Sequence, residues 1–276
     1  MFRDKVVTFP TGENMKDEIL TEMRDGALII TFNRPEHGNA MTLDMASQLY
    51  AVVKPAAQDP AVRVVVLRGA GNDFMNGIDI GIYNKDVSSG IQKKSEVLLP
   101  YHSAIRELHA MNKPVIAKVK GRCVRAGLSF VLVADLVIAA RSARFRANYT
   151  SLGMTPDGGV SIFLTRKVGT AKATEILILN EEFGAEAAEK MALVNAVVDE
   201  DDLVDKSNQW VDLLSHGPTQ AYGAVKKLID NAAGEKDLYN HIGIEHTYWG
   251  VISRTFDFRN AINAHFANKP PEFKGT

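Results

Sequence analysis

The stretch from Lys113 to Asp135 constrains the fold most, because it joins a buried strand to a buried helix through a glycine. Its apolar run over 115–119 is short and rich in β-branched residues, which predicts a buried strand. Gly121 breaks this strand, a loop containing Arg122 and Arg125 follows, and an unbroken small and apolar run over 126–134 predicts a buried helix. A helix N-terminus after a glycine turn aims free backbone N–H groups and the positive end of the helix dipole at one point. The stretch therefore predicts an anion or oxyanion site; the alternative is a purely structural strand–turn–helix unit.

Composition narrows the class of protein. The chain has 276 residues and 46% apolar content, so it can bury roughly three quarters of its unfolded surface without a disulfide or metal. Its 32 basic and 33 acidic residues give a net charge of −1, which excludes a global basic field for nucleic acid or an anionic membrane. The lone Cys123 excludes an intrachain disulfide and fits a reducing compartment. The first residues contain no long apolar segment, so we expect no signal peptide, no membrane span and a cytoplasmic location.

Strand–strand–helix units recur roughly every forty to fifty residues, which favours an α/β fold built as a stacked β-β-α superhelix. We expect an N-terminal extension over 1–17, a core over 18–200, and a C-terminal helical region over 201–276 in the same domain. The predicted elements are a hairpin over 19–33 around Asp25-Gly26, a helix from the N-cap Thr42 to about Gln58, a strand over 62–67, a helix over 91–111, strands over 136–140 and 143–147, and helix almost throughout from Gly159.

Five short motifs follow one another in a fixed order. They are Arg34-Pro35 with Asn39-Ala40, Phe74-x-x-Gly77-x-Asp79, Lys113 to Ala117 with Gly121 and Asp135, Gly153-x-x-Pro156-Asp157-Gly158-Gly159, and the tail Phe266-x-x-Lys269-Pro-Pro-x-Phe273-x-Gly275. Over about residues 18–275 this ordered set resembles the crotonase (enoyl-CoA hydratase/isomerase) superfamily. The resemblance implies a crotonase-like β-β-α superhelix, an acyl-CoA substrate, and no cofactor beyond the coenzyme A of that substrate.

The resemblance also implies an oxyanion hole. In that family two backbone N–H groups hold the thioester oxygen, and position by position these are the N–H groups of Ile78 and Ala126. Removing a proton beside a thioester carbonyl leaves an enolate oxygen, and losing one such donor costs about 3–4 kcal/mol in other enzymes. Backbone donors impose no side-chain identity, so the fold predicts the enolate intermediate and leaves the product open.

The positions that carry the two glutamates of family hydratases are Ser129 and Tyr149 here. Neither is a carboxylate base near neutral pH, although both are expected to line the substrate pocket. Asp157 is the remaining well-placed carboxylate, and family isomerases are similar in carrying an acidic residue there. We therefore expect a double-bond isomerase with Asp157 as its single base. Asp157 as the N-cap of the helix from Gly159 is the structural alternative.

Other reactions stay open at this point. The alternatives are an enoyl-CoA hydratase, a hydrolase or decarboxylase of a β-keto or carboxylated acyl substrate, and a non-catalytic acyl-CoA-binding member. Arg125 stands where relatives carry a small residue. It either enters the acyl pocket and pairs with a substrate carboxylate or lies on a surface loop.

The remaining substrate-binding residues follow from the resemblance. Asn76 and Gly77 belong to the loop of the first oxyanion donor, where Asn76 is either an extra donor or a turn residue. The backbone of Ala40 is expected to meet the adenine, and Lys269 to approach the CoA phosphates, in some relatives from a neighbouring subunit. The resemblance further implies a homotrimer or a dimer of trimers that packs through the C-terminal helices.

The helix over 91–111 carries two histidines seven residues apart, His102 and His109. This spacing puts both on one face of a helix. We expect partly buried helix residues, with a place in the pocket lining as the alternative.

Overall fold

The computed structural model describes residues 17–83, 87–234 and 237–276. Apart from Asp17, the predicted extension over 1–17 lies outside the described residues. The strands of this described part are β1 (Ile19–Arg24), β2 (Ala27–Phe32), β3 (Val64–Gly69), β4 (Val115–Val119), β5 (Arg122–Val124), β6 (Leu136–Ala140), β7 (Arg144–Arg146), β8 (Phe183–Gly184) and β9 (Ala196–Val198).

These strands form a six-stranded sheet of order β1-β2-β3-β4-β6-β9 and a three-stranded sheet of order β5-β7-β8. In the large sheet β1 is antiparallel to β2, and the other pairs are parallel. The pairs β4–β5 and β6–β7 each send their first strand into the large sheet and their second into the small one. This arrangement is the predicted β-β-α superhelix, and the fold class is confirmed.

Helices cover the sheets and make up most of the C-terminal region. They are α1 (Leu43–Gln58), α2 (Val87–Ala110), α3 (Ala126–Val133), α4 (Val160–Leu179), α5 (Ala185–Lys190), α6 (Leu203–Ser215), α7 (Thr219–Ala232), α8 (Leu238–Ile252) and α9 (Phe256–Phe266). Thr42 caps α1 as predicted, since its side chain accepts a hydrogen bond from the Met45 N–H. Among the described helices, none is long and apolar enough to cross a membrane.

The turn between β1 and β2 has the geometry that its two residues, Asp25 and Gly26, favour. Asp25 and Gly26 adopt φ values of 45° and 79°, which suits the tight turns whose twist matches that of the two strands. The turn sets the register, with Arg24 opposite Ala27 and Ile19 opposite Phe32.

One sequence interpretation was wrong about a short strand, and two more short strands interrupt the helices predicted after Gly159. The segment 122–124, predicted as a loop, is β5, and the region after Gly159 contains β8 and β9 as well as helices. These strands have two or three residues, which is too few for a periodic pattern to show. Hydrogen bonds to a neighbouring strand, and not the local sequence, make these segments strands. For example, β9 pairs with β6 at the edge of the large sheet.

The large sheet separates two apolar layers. On one face, Leu28 and Leu67 pack in the main core together with α1, α2 and α3. On the other face, Ile29 and Val66 pack against Leu203 of α6. Strands covered on both faces carry continuous apolar runs, which is why the runs in β3 and β4 were predictable. The division into a core over 18–200 and a helical region over 201–276 stays a prediction.

Candidate active site

The N–H groups of Ile78 and Ala126 have no acceptor among the residues that the structure describes. Ile78 forms a parallel bridge with Met41, in which the Met41 N–H donates to the Gly77 carbonyl at 2.7 Å and the Asp79 N–H to the Met41 carbonyl at 2.9 Å. The Ile78 N–H lies between these bonds and therefore faces the opposite side. Ala126 is the first residue of α3, so its N–H has no acceptor within the helix. Neither group donates a hydrogen bond to any residue that the structure describes.

Close backbone packing brings these two donors to one place. The Val124 N–H donates to the Met75 carbonyl at 2.8 Å, which ties β5 to the loop that carries Ile78. Gly77, at φ +84°, lies so near the second segment that a Cβ atom there would be 2.6 Å from the Cβ of Arg125. A Cβ at Gly127 would likewise be 2.5 Å from the Met75 carbonyl oxygen. Glycine at both positions allows the two chain segments to approach this closely.

Both segments border a small cavity that is partly open to solvent. Four of the predicted site residues lie together in its wall: one oxyanion donor residue, the arginine, the tyrosine at a hydratase-glutamate position, and the proposed base. The wall is formed by Ile78, Asp79, Ile80, Arg125, Tyr149, Met154 and Asp157.

Asp157 faces this cavity and does not cap a helix. The N-cap of α4 is Gly159, at φ +79°, and no side chain caps this helix. The Asp157 carboxylate instead accepts a hydrogen bond from the Tyr149 hydroxyl at 3.2 Å. The capping alternative is therefore wrong, and the carboxylate is oriented toward the cavity by a buried phenol.

A buried group of hydroxyls lies behind the carboxylate. The Tyr101 hydroxyl donates to Ser129 Oγ at 2.6 Å, and Ser129 Oγ lies 3.5 Å from the Asp157 carbonyl oxygen. Burial raises the pKa of both Tyr101 and Tyr149 well above the ordinary tyrosine value, and the negative charge of Asp157 raises these pKa values further. Both phenols thus remain protonated donors near neutral pH. Tyr101 was missed by the sequence analysis, because nothing in its local pattern distinguishes it from other core residues of α2.

His102 fixes the chain just after Asp157. Its Nε2 atom accepts a hydrogen bond from the Gly158 N–H at 3.2 Å, so the ring supports the loop that presents the carboxylate. It is not among the residues of the cavity wall. His109 lies elsewhere, 3.4 Å from the Asp230 carboxylate and against the ring of Phe163.

Arg125 lies in the cavity wall, and the surface-loop alternative is wrong. Its Nη2 donates to the Asn76 carbonyl at 2.7 Å. Burial lowers the pKa of the Arg125 guanidinium below the ordinary arginine value, while the nearby Asp157 carboxylate acts in the opposite direction. The cavity wall therefore holds a cation, the Asp79 and Asp157 carboxylates and the Ile78 donor residue, and Ala126 follows Arg125 directly in the chain.

Comparison with known proteins shows the family of the chain. The chain matches a family model described as enoyl-CoA hydratase/isomerase over residues 22–276. The chain belongs to this family. It is similar to a 1,2-epoxyphenylacetyl-CoA isomerase of Escherichia coli (strain K12), with 33% identity over 95% of this chain and 100% of the relative.

One further relative and one solved structure also match this chain over nearly its whole length. A probable enoyl-CoA hydratase of Rhodobacter capsulatus is 32% identical over 92% of this chain and 96% of its own length. Among solved structures, an enoyl-CoA hydratase from Polaromonas sp. JS666 superimposes with a TM-score of 0.87 at 26% identity, covering 92% of this chain and 99% of that one. This chain is thus an acyl-CoA enzyme of the enoyl-CoA hydratase/isomerase family.

Family membership leaves the residue roles at the acyl end to be argued from the geometry. Asn76 turns its amide toward Gly38, since a Cβ at Gly38 would lie 2.1 Å from Asn76 Nδ2. The Asn76 N–H donates to the Gly38 carbonyl at 2.9 Å. This position favours the turn interpretation of Asn76 over an extra donor at the thioester.

The two residues expected at the CoA end lie apart from the cavity wall. Ala40 is buried, its N–H donates to the His37 carbonyl at 3.2 Å, and its carbonyl accepts from Arg34 Nη1. Lys269 is exposed, and its N–H donates to the Ala264 carbonyl. Their contacts with coenzyme A stay predictions.

Proposed function

We propose that this family member isomerises an enoyl-CoA, with Asp157 as the single base and the Ile78 and Ala126 N–H groups as the oxyanion hole. One observation carries the proposal: the positions of the two hydratase glutamates hold Ser129 and Tyr149, while Asp157 lies in the cavity wall. A double-bond shift needs one group that removes a proton and returns it, whereas hydration commonly needs two groups around a water.

Asp157 suits the role of base better than the other carboxylate of the wall. Asp79 is held by Arg34, whose Nη1 lies 3.1 Å from Asp79 Oδ2, and by the Gly81 N–H at 2.9 Å. Both oxygens of this carboxylate therefore already have partners within the protein: Oδ2 faces Arg34, and Oδ1 accepts from the Gly81 N–H. The Asp157 carboxylate lies in the cavity wall and accepts a hydrogen bond from the Tyr149 hydroxyl.

The proposed reaction moves one proton from C2 to C4 of the substrate, with no net gain or loss of protons. The Asp157 carboxylate takes a proton from C2 of a 3-enoyl thioester, and the electron pair of that C–H bond moves into the thioester, giving a dienolate whose oxygen faces the two N–H donors. The carboxylic acid then returns the proton at C4, and the double bond ends between C2 and C3. No cofactor is needed beyond the coenzyme A of the substrate. The similarity to a protein named an isomerase supports isomerisation over hydration.

The test is proton NMR of 3-hexenoyl-CoA and crotonyl-CoA with the protein in deuterated water. For the wild type we expect migration of the double bond with deuterium entering at C2 or C4. Asp157→Asn removes the base and retains the shape, so we expect the rate to fall roughly 10²–10⁴-fold with thioester binding retained.

Asp79→Asn is the matched control, because it makes the same chemical change in the same wall. We expect a much smaller loss of isomerisation in this variant. Equal rates for wild type and Asp157→Asn would reject Asp157 as the base.

Hydration is the second candidate, and one observation favours it: two carboxylates, Asp79 and Asp157, do line the cavity. Relatives named as hydratases point the same way. A 3-hydroxyacyl product that is lost in both the Asp79→Asn and Asp157→Asn variants would establish this candidate in place of the isomerase. We also propose a cytoplasmic location and a homotrimer or dimer of trimers.

A further inference from the structure

We propose that Arg125 forms an anion-binding subsite that selects acyl-CoA substrates whose acyl group carries a carboxylate. This inference rests on acyl-CoA binding in the proposed active site, and it is independent of which carbon–hydrogen bond is broken. It follows from the backbone of Arg125, the course of its side chain, and the absence of a carboxylate within 4 Å of its guanidinium among the described residues.

The backbone of Arg125 is held in a conformation that favours glycine. Its φ is 50° and its ψ is −113°, a combination in which a Cβ atom is strained. The strain is fixed by packing, since the Arg125 carbonyl accepts from the Leu128 N–H at 2.8 Å and its N–H donates to the Arg146 carbonyl at 3.3 Å. A glycine would fit here without strain, so the side chain is the feature that distinguishes this position. Strained non-glycine residues of this kind concentrate at functional sites.

The side chain lies across the oxyanion loop. A Cβ at Gly77 would be 2.8 Å from Arg125 Nε, so the guanidinium passes over the residue that precedes the Ile78 donor. Its Nη2 is anchored by the Asn76 carbonyl at 2.7 Å. The charge is therefore fixed in the cavity wall, beside the loop that carries the Ile78 donor.

The guanidinium has no carboxylate within 4 Å among the described residues, and its other N–H groups have no acceptor there. Arg34 shows the contrast: its guanidinium is also largely buried, but it lies 3.2 Å from the Glu18 carboxylate and 3.1 Å from that of Asp79. A half-buried cation with one neutral partner has lost hydration that a ligand anion can replace. A carboxylate fits best, because its two oxygens match the planar fork of a guanidinium.

The test is isothermal titration calorimetry with two saturated ligands of equal length, glutaryl-CoA and pentanoyl-CoA. They differ in a terminal carboxylate against a methyl group, and neither has a double bond to shift. We expect the wild type to bind glutaryl-CoA at least about tenfold more tightly. Arg125→Met retains most of the side-chain volume and removes the charge, so we expect it to abolish this preference and to change pentanoyl-CoA binding by less than about threefold.

Two further variants separate the subsite from other effects. Arg125→Gly removes the strained Cβ, so we expect a melting temperature equal to or above that of the wild type together with loss of the glutaryl-CoA preference; this result would show that the loss does not come from unfolding. Asp157→Asn should keep the preference, which distinguishes failure of the base from failure of the subsite. Equal affinity of the wild type for both ligands, no binding of either, or equal weakening of both by Arg125→Met would overturn the proposal.

Discussion

At the scale of single residues, the loop that carries Asp157 is shaped by Gly158. This glycine adopts φ +57°, and a Cβ there would lie 1.8 Å from the Tyr101 hydroxyl oxygen and 2.7 Å from Ser129 Oγ. Both the backbone conformation and the space therefore require glycine. Gly153, earlier in the same segment, adopts a similar φ of +66°, but a Cβ there would have nothing within 4 Å. The two glycines form a matched pair that separates collision from backbone strain.

We expect Gly158→Ala to destabilise the fold by about 2–4 kcal/mol, because a collision with buried hydroxyls is added to the strain of a left-handed residue. Gly153→Ala should cost only about 1 kcal/mol, from strain alone. Urea denaturation followed by circular dichroism measures both values. Activity should fall with Gly158→Ala and persist with Gly153→Ala, since only the first change displaces the carboxylate. Equal destabilisation of the two variants would show that the hydroxyl group of Tyr101 yields without cost.

At the scale of elements, α2 supports the active-site loop from behind. Tyr101 and His102, adjacent on this helix, contact Ser129 of α3 and the Gly158 N–H. The position of the Asp157 carboxylate therefore depends on how α2 packs as well as on the conformation of the loop. Both contacts join residues far apart in the chain, separated by 28 positions for Tyr101 and 56 for His102.

We expect His102→Leu to lower the rate of proton transfer about tenfold or more, because the loss of an acceptor leaves the Gly158 N–H unpaired and loosens the loop. His102→Gln should restore much of the activity, since its amide oxygen can accept the same hydrogen bond. Steady-state kinetics on 3-hexenoyl-CoA would measure the effect as a fall in kcat. His109→Leu, seven residues along the same helix, is the control. A loss as large in the control would mean that both changes act through the stability of α2.

At the scale of the whole molecule, the C-terminal helices leave much apolar surface exposed. No residue of α8 is buried, and Leu238 and Trp249 of this helix are 72% and 62% exposed. Phe266, at the end of α9, is 81% exposed. Large exposed apolar surfaces of this kind usually mark contacts between subunits. They support the proposed trimer or dimer of trimers.

We expect light scattering with size-exclusion chromatography to give a mass of three or six times the 30.2 kDa chain. Trp249→Glu places a charge on the exposed face of α8 and should shift the mass toward the monomer and lower the melting temperature. Val204→Glu is the control, since this residue of α6 is 52% exposed and should leave the mass unchanged. A wild-type monomer would contradict the proposed assembly.

The sequence by itself determined the features that depend on neighbours along the chain. The Asp25-Gly26 turn, the Thr42 cap, the apolar strand over 115–119 and the start of a helix at Ala126 all follow from local backbone preferences and short-range periodicity. The ordered motifs also determined the family. These features were predictable because the atoms that enforce them lie within a few residues of one another.

Only the tertiary structure decided what meets across long distances in the chain. The direction of the Arg125 side chain, the contact of His102 with Gly158, the hydroxyl of Tyr101 and the pairing of β9 with β6 depend on how separate segments pack. None of these contacts leaves a local pattern, because the partner is supplied by another part of the fold. The presence of a carboxylate before Gly158 could be predicted, whereas its place in the cavity wall, beside the Tyr149 phenol and near Arg125, required the packed molecule.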